Sequence, residues 1–176
     1  MHIIQGLIHL IRAIPLAAAI YAALLAISWL RKKRSLIQRR KMIFEFFFVV
    51  YIIAILDITG IIGMQFNIDW FIHSLSSIGF HTQIDKGTLW MMMLNMALFV
   101  PLGILIPMVI SNMKWNGIKV FVLGFCFSIA IEFLQMFGGR MSEINDVLMN
   151  AFGTLMGYFI FSILIRINEL KKEKDV

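Results

Sequence analysis

The chain reads as an all-α integral membrane protein, and three observations carry that expectation. Of its 176 residues, 60% are hydrophobic and 15% charged, with a mean hydropathy of +0.87. A soluble domain of this length has no interior large enough to hide so much apolar surface. The apolar residues also gather into runs of about 20, the length of a membrane-crossing helix. Finally, most of the 16 Lys and Arg cluster between those runs, as topology-setting charges do.

Five spans are predicted, at roughly 11–30, 42–64, 88–110, 118–137 and 147–167. The first contains LAAAIYAALLA and is followed by RKKRSLIQRRK. A secretory signal carries its basic residues ahead of the apolar run, so this is an uncleaved span with the N-terminus outside. In that orientation 13 basic residues lie inside and three, Arg12, Lys86 and Arg140, lie outside. The C-terminus is then inside.

Two segments are amphipathic. His2, Gln5, His9 and Arg12 align on one helical face, which extends the first helix along the interface. In the long connection 65–87, Ile68, Phe71, Ile72, Leu75 and Ile78 share one face, while Asp69, His73, Ser74, Ser76 and Ser77 share the other. That pattern predicts an amphipathic or re-entrant outer helix between the second and third spans. No internal repeat of the kind many transporters carry is present.

Several chemical classes are excluded. The net charge of +6 comes from short clusters, and the aromatic residues fill apolar spans without alternating with basic ones, so nucleic acid is not a partner. A single cysteine, Cys126, permits no internal disulfide. There is no HExxH, paired CxxC or phosphate-cradling glycine loop, and so no ground for a metal or a cofactor. Membrane lipids are the partners the composition demands; the oligomeric state is left open.

The informative residues are the polar ones inside apolar runs. At about 1.5 Å of rise per residue, Asp57, Asn95 and Glu132 fall at similar depth below the outer boundary, with Gln135, Arg140, Asp146 and Asn150 nearer to it. Ionisable groups in hydrocarbon cost a few kcal/mol or more, so they face protein or a wet cavity and find partners. Ser128, Glu132 and Gln135 stand at i, i+4 and i+7, and Asp146, Asn150 and Gly153 repeat the pattern. Arg140, tethered between the two helices, is the expected partner of Glu132 or Asp146, and its planar fork suits a carboxylate or phosphate. Such a network also joins helices without any ligand, the role that suits Asn95 and Asn150 best. Pro101, Gly103 and Pro107 predict a kink or break in the third span, and Gly153 and Gly157 form a small-xxx-small packing step.

Two blocks, NMALFVPLGILIP at 95–107 and IEFLQMFGGRMSEINDVLMNAFGTLMGY at 131–158, resemble the signature of the VanZ-like family. The matching positions are Asn95, Pro101, Gly103, Glu132, Gln135, Arg140, Asp146, Asn150, Gly153 and Gly157, within roughly residues 88–167. The resemblance implies a single VanZ-like membrane domain over 1–176, multi-pass in the bacterial cytoplasmic membrane. It also implies a role like that of the founding member, which gives low-level resistance to the glycopeptide teicoplanin. Together, topology and resemblance favour a non-enzymatic protein whose outward polar site binds an envelope amphiphile, either a lipid-linked cell-wall precursor or a lipoglycopeptide. Ligand contacts would come from Asn95, Glu132, Gln135, Arg140, Asp146 and Asn150. The alternative is an envelope hydrolase or transferase with Glu132 or Asp146 as general base and Arg140 stabilising developing charge.

Overall fold

The computed structural model describes residues 2–30, 39–79, 85–110 and 114–174. The basic cluster 31–38, His81 and the side chains of His2 and Gln5 lie outside that description. The described residues form six helices: α1 (His2–Leu30), α2 (Arg39–Ile58), α3 (Ile68–Leu75), α4 (Lys86–Val109), α5 (Gly117–Met136) and α6 (Ile144–Lys174). The described residues contain no strand, and their one β-bridge pairs Gly79 with Glu143. Lys86–Val109, Gly117–Met136 and Ile144–Glu173 are long and apolar enough to cross a membrane, and Ile11–Leu25 is a shorter apolar stretch. The second predicted span differs in kind, since α2 carries Lys41, Glu45 and Asp57 among its 20 residues. The chain divides into two compact units, Met1–Gln65 and Phe66–Val176.

In the first unit, α1 and α2 form an antiparallel pair. Ala13 and Ala17 meet Val50, Ile53 and Ala54 in a buried cluster, flanked by Phe46 and Val49. Small residues on α1 let the helices approach closely, which matters where lipid removes the hydrophobic drive between spans. At one end the Tyr21 hydroxyl donates to Met42 O (2.9 Å) and Glu45 Oε2 (3.1 Å). Glu45 thus has a partner on α1. At the other end His9 Nδ1 lies 2.6 Å from Asp57 Oδ2. His9→Ala and Asp57→Ala in a double-mutant cycle are expected to show a coupling of about 1 kcal/mol in unfolding from detergent. Additive effects would mean that the pair does not join the helices.

The run predicted to be helical to residue 64 stops at Ile58. Gly60 adopts φ 76°, Gly60 N–H donates to Asp57 O (3.0 Å), and Ile61 N–H reaches back to Leu56 O (2.9 Å). These are the paired bonds of a Schellman cap, which satisfies the last carbonyls and ends the helix although apolar residues continue.

In the second unit, α6 packs chiefly against α4 and then α5. Side-chain caps start three of the helices: Asn67 Oδ1 accepts from Asp69 and Trp70 N–H, Asp85 Oδ1 from Thr88 N–H, and Asn116 Oδ1 from Lys119 N–H. The helical assignment of α4 runs unbroken through Pro101 and Pro107. A Cβ on Gly103 would collide with Thr154 O, one on Gly153 with Met96 O, and one on Gly157 with Val100 O. The small-xxx-small step is therefore a backbone-to-backbone crossing of α4 and α6.

Candidate functional site

One packing contact and two polar rungs join the antiparallel helices α5 and α6. At the first, Gly124 leaves room for Thr154, whose side chain a Cβ would strike; Thr154 is fully buried and donates to Asn150 O (2.9 Å). At the second, Asn150 Nδ2 donates to Ser128 Oγ (2.8 Å). At the third, Glu132 Oε2 accepts from Glu143 N–H (3.4 Å) and from the Ser142 side chain, with Asp146 and Arg140 in Coulombic range. The sequence produces this ladder because Gly124, Ser128 and Glu132 recur every four residues on one face of α5.

The Glu132 rung is built by the turn. Gly139 has φ 77°, Gly139 N–H donates to Met136 O (3.1 Å), and Arg140 N–H reaches back to Gln135 O (3.3 Å). This second Schellman cap closes α5, and residues 140–143 lead back to α6. It leaves Arg140 exposed at the turn and Gln135 buried beneath it. Helix α6 then begins at Ile144, so the Glu132 carboxylate meets the N-terminal end of a helix, where backbone donors and the macrodipole favour an anion. Asp146 in the first turn of α6 gains from the same field, a structural benefit independent of any ligand.

Burial singles out the group. Glu132 is 7% exposed, Gln135 4% and Asn150 5%. Asn150 Oδ1 is the one buried side-chain polar atom among the described residues that lacks a hydrogen-bond partner. An unsatisfied buried acceptor costs about 1–3 kcal/mol, set against the bond that the same amide donates to Ser128.

Of the residues singled out in the sequence, Glu132, Arg140 and Asp146 are brought together, with Gln135 and Asn150 one turn away. Arg140, expected as the partner of Glu132 or Asp146, lies close enough to Glu132 for its charge to act on the carboxylate, which also accepts hydrogen bonds from the turn. Asn95 is half-buried on α4, on the stripe of Met92 and Phe99. Asp57 belongs to the first unit and has His9 as its partner. Sequence reading passed over Ser142, Glu143, Thr154 and the His9–Asp57 pairing. The tight GG turn was the available signal for the first two, since it forces the start of α6 against the last turn of α5. An open apolar groove of about 400 Å³ lies along α6, lined by Met149, Phe152, Leu155, Met156 and Phe159 with Met96 of α4.

Three helices long and apolar enough to cross a membrane, with a carboxylate between the last two, mark a helical membrane protein. The chain belongs to the VanZ/LLP1 family, whose model matches residues 19–165. That range takes in α2 and the C-terminal part of α1 as well as the C-terminal blocks that carry the resemblance. No curated protein and no solved structure matches the chain.

Proposed function

We propose that this is a five-span protein of the bacterial cytoplasmic membrane, N-terminus outside, whose polar group at the α5–α6 turn binds the head of an envelope amphiphile. The ligand class is a lipid-linked cell-wall precursor or a lipoglycopeptide, and binding it reduces the action of teicoplanin. The observation that carries this reading is Glu132, a carboxylate 7% exposed near the end of an apolar helix, with Arg140 exposed at the turn beside it. Packing alone does not call for a buried carboxylate with a second one, Asp146, in Coulombic range. The excess of basic residues on the opposite loops supports an outward orientation.

Each side chain has a role in this reading. Arg140 contacts an anionic head group, Glu132 and Asp146 orient it or take its cationic groups, and Gln135, Asn150 and Asn95 hydrogen-bond the remainder. The α4–α6 groove offers apolar surface for the tail: Met149, which lines it, lies roughly 4.5 Å along the helix from Asp146.

The test is titration of the purified protein in lipid nanodiscs with a lipid-linked precursor and with teicoplanin. Glu132→Gln and Arg140→Ala are each expected to weaken binding by about tenfold, which is roughly 1.4 kcal/mol. Affinity unchanged by both substitutions removes the reading. Turnover of the precursor that depends on Glu132 replaces it with the hydrolase or transferase.

A further inference from the structure

Helix α3 (Ile68–Leu75) has three sides, and the protein uses only one of them. The first side packs on the end of α5: Phe71 stacks on Phe137 with ring centroids 4.4 Å apart and meets Phe133 edge-on at 5.4 Å. On the same side, Ser74 Oγ donates to Met136 O (3.5 Å), and the Trp70 ring lies against Gly139. Asn67 N–H donates to Phe137 O (3.0 Å) and ties down the start of the helix. The second side carries Asp69 and His73, both exposed. The third carries Ile68, Ile72 and Leu75 at i, i+4 and i+7, exposed by 60%, 61% and 49%. The sequence pattern had grouped Phe71 with these three and Ser74 with the polar residues. The structure takes Phe71 and Ser74 for packing and leaves a narrower apolar stripe uncovered.

What covers that stripe follows from its neighbour. Along α5, a helix apolar enough to cross a membrane, Ile118, Val122, Ile129 and Phe133 are exposed and fall on one helical face. In a spanning helix that face meets acyl chains. Phe133 ends the face and is the residue that touches Phe71, so the lipid-facing surface of α5 continues onto α3. The contacts with Met136, Phe137 and Gly139 hold α3 at the last turn of the span, the level where hydrocarbon gives way to head groups. A helix with an apolar stripe turned away from exposed polar residues lies in that plane.

We propose that α3 is a membrane-seated interfacial helix, with Ile68, Ile72 and Leu75 in the acyl region of the leaflet and Asp69 and His73 among head groups. The partner surface is the bilayer itself. This anchors the α5 end that carries Glu132 and Gln135 at a fixed depth, whatever the ligand of that site.

The test uses the full chain in liposomes of phosphatidylethanolamine and phosphatidylglycerol. In a Cys126→Ser background, Ile72→Cys and His73→Cys are each spin-labelled, and collisions with oxygen and with a water-soluble nickel chelate are compared. The label at 72 is expected to favour oxygen several-fold and the label at 73 to favour nickel. Nickel access at 72 equal to that at 73 overturns the proposal. So does a label at 72 that is shielded from both reagents and dipolar-coupled to a second label, since a second copy of the chain then covers the stripe. The unmodified protein supplies an independent readout: a lipid with a diazirine on its acyl chain should give photo-adducts within 66–78, and their absence also overturns the proposal.

Discussion

Gly153→Val and Gly157→Val are each expected to leave little folded protein. A Cβ at either position would overlap a backbone carbonyl of α4, Met96 O or Val100 O, and Gly103 on α4 meets the backbone of Thr154 in the same way. A side chain can rotate out of the way, but a carbonyl moves only if its helix moves. Separating α4 from α6 forfeits contacts along the largest helix interface of the second unit, and in lipid those contacts are the main force holding spans together. Overpacking of this kind costs about 3 kcal/mol or more, a large part of a typical total stability. Gly124→Ala makes the informative contrast, because the atoms it would strike belong to the Thr154 side chain. The expected order of thermal midpoints, read as monodisperse protein remaining after heating in detergent, is wild type, then Gly124→Ala, then the two valine variants. A valine variant with the wild-type midpoint would mean that the crossing is looser than its geometry requires.

How much of this was legible in the sequence depended on the kind of signal. Helices α4 and α5 lie within two residues of the predicted spans because their apolar runs are bracketed by capping residues, Asp85 and Asn116. The end of α2 was misplaced because Ile61 and Ile62 extend the apolar run past Gly60, and only the left-handed conformation of that glycine marks the stop. The sides of α3 were misassigned because periodicity sorts residues by polarity, whereas packing selected Phe71 for its flat ring and Ser74 for its small size. The α5–α6 ladder was visible as a four-residue spacing, but the donor to Glu132 was not, because a backbone N–H has no letter in the sequence. The His9–Asp57 contact illustrates the same limit: each residue stood out alone, and only the antiparallel register of α1 and α2 pairs them. The N-terminal half carried no recognisable motif, yet the family match reaches back to residue 19.

Glu132→Leu is expected to raise stability while abolishing binding, a combination that a purely structural carboxylate does not produce. The Glu132 side chain is almost fully withdrawn from solvent, accepts a long hydrogen bond of 3.4 Å from Glu143 N–H and another from Ser142, and has Asp146 of like charge in range as well as Arg140. Its desolvation is therefore only partly offset, and exchanging buried charge for an apolar residue of similar volume often stabilises by about 1–4 kcal/mol. The Glu143 N–H left behind precedes the first turn of α6 at a half-buried position, where water replaces the lost acceptor. A group whose cost to the fold outweighs its contribution is retained for another task, the usual trade between stability and function. The expected outcome is a thermal midpoint at or above wild type together with a loss of about 100-fold in affinity for a lipid-linked precursor, roughly 2.7 kcal/mol. If Glu132→Leu instead lowers the midpoint by several degrees and Glu132→Gln restores it, the carboxylate serves to join α5 to α6, and the ladder is a packing device from end to end.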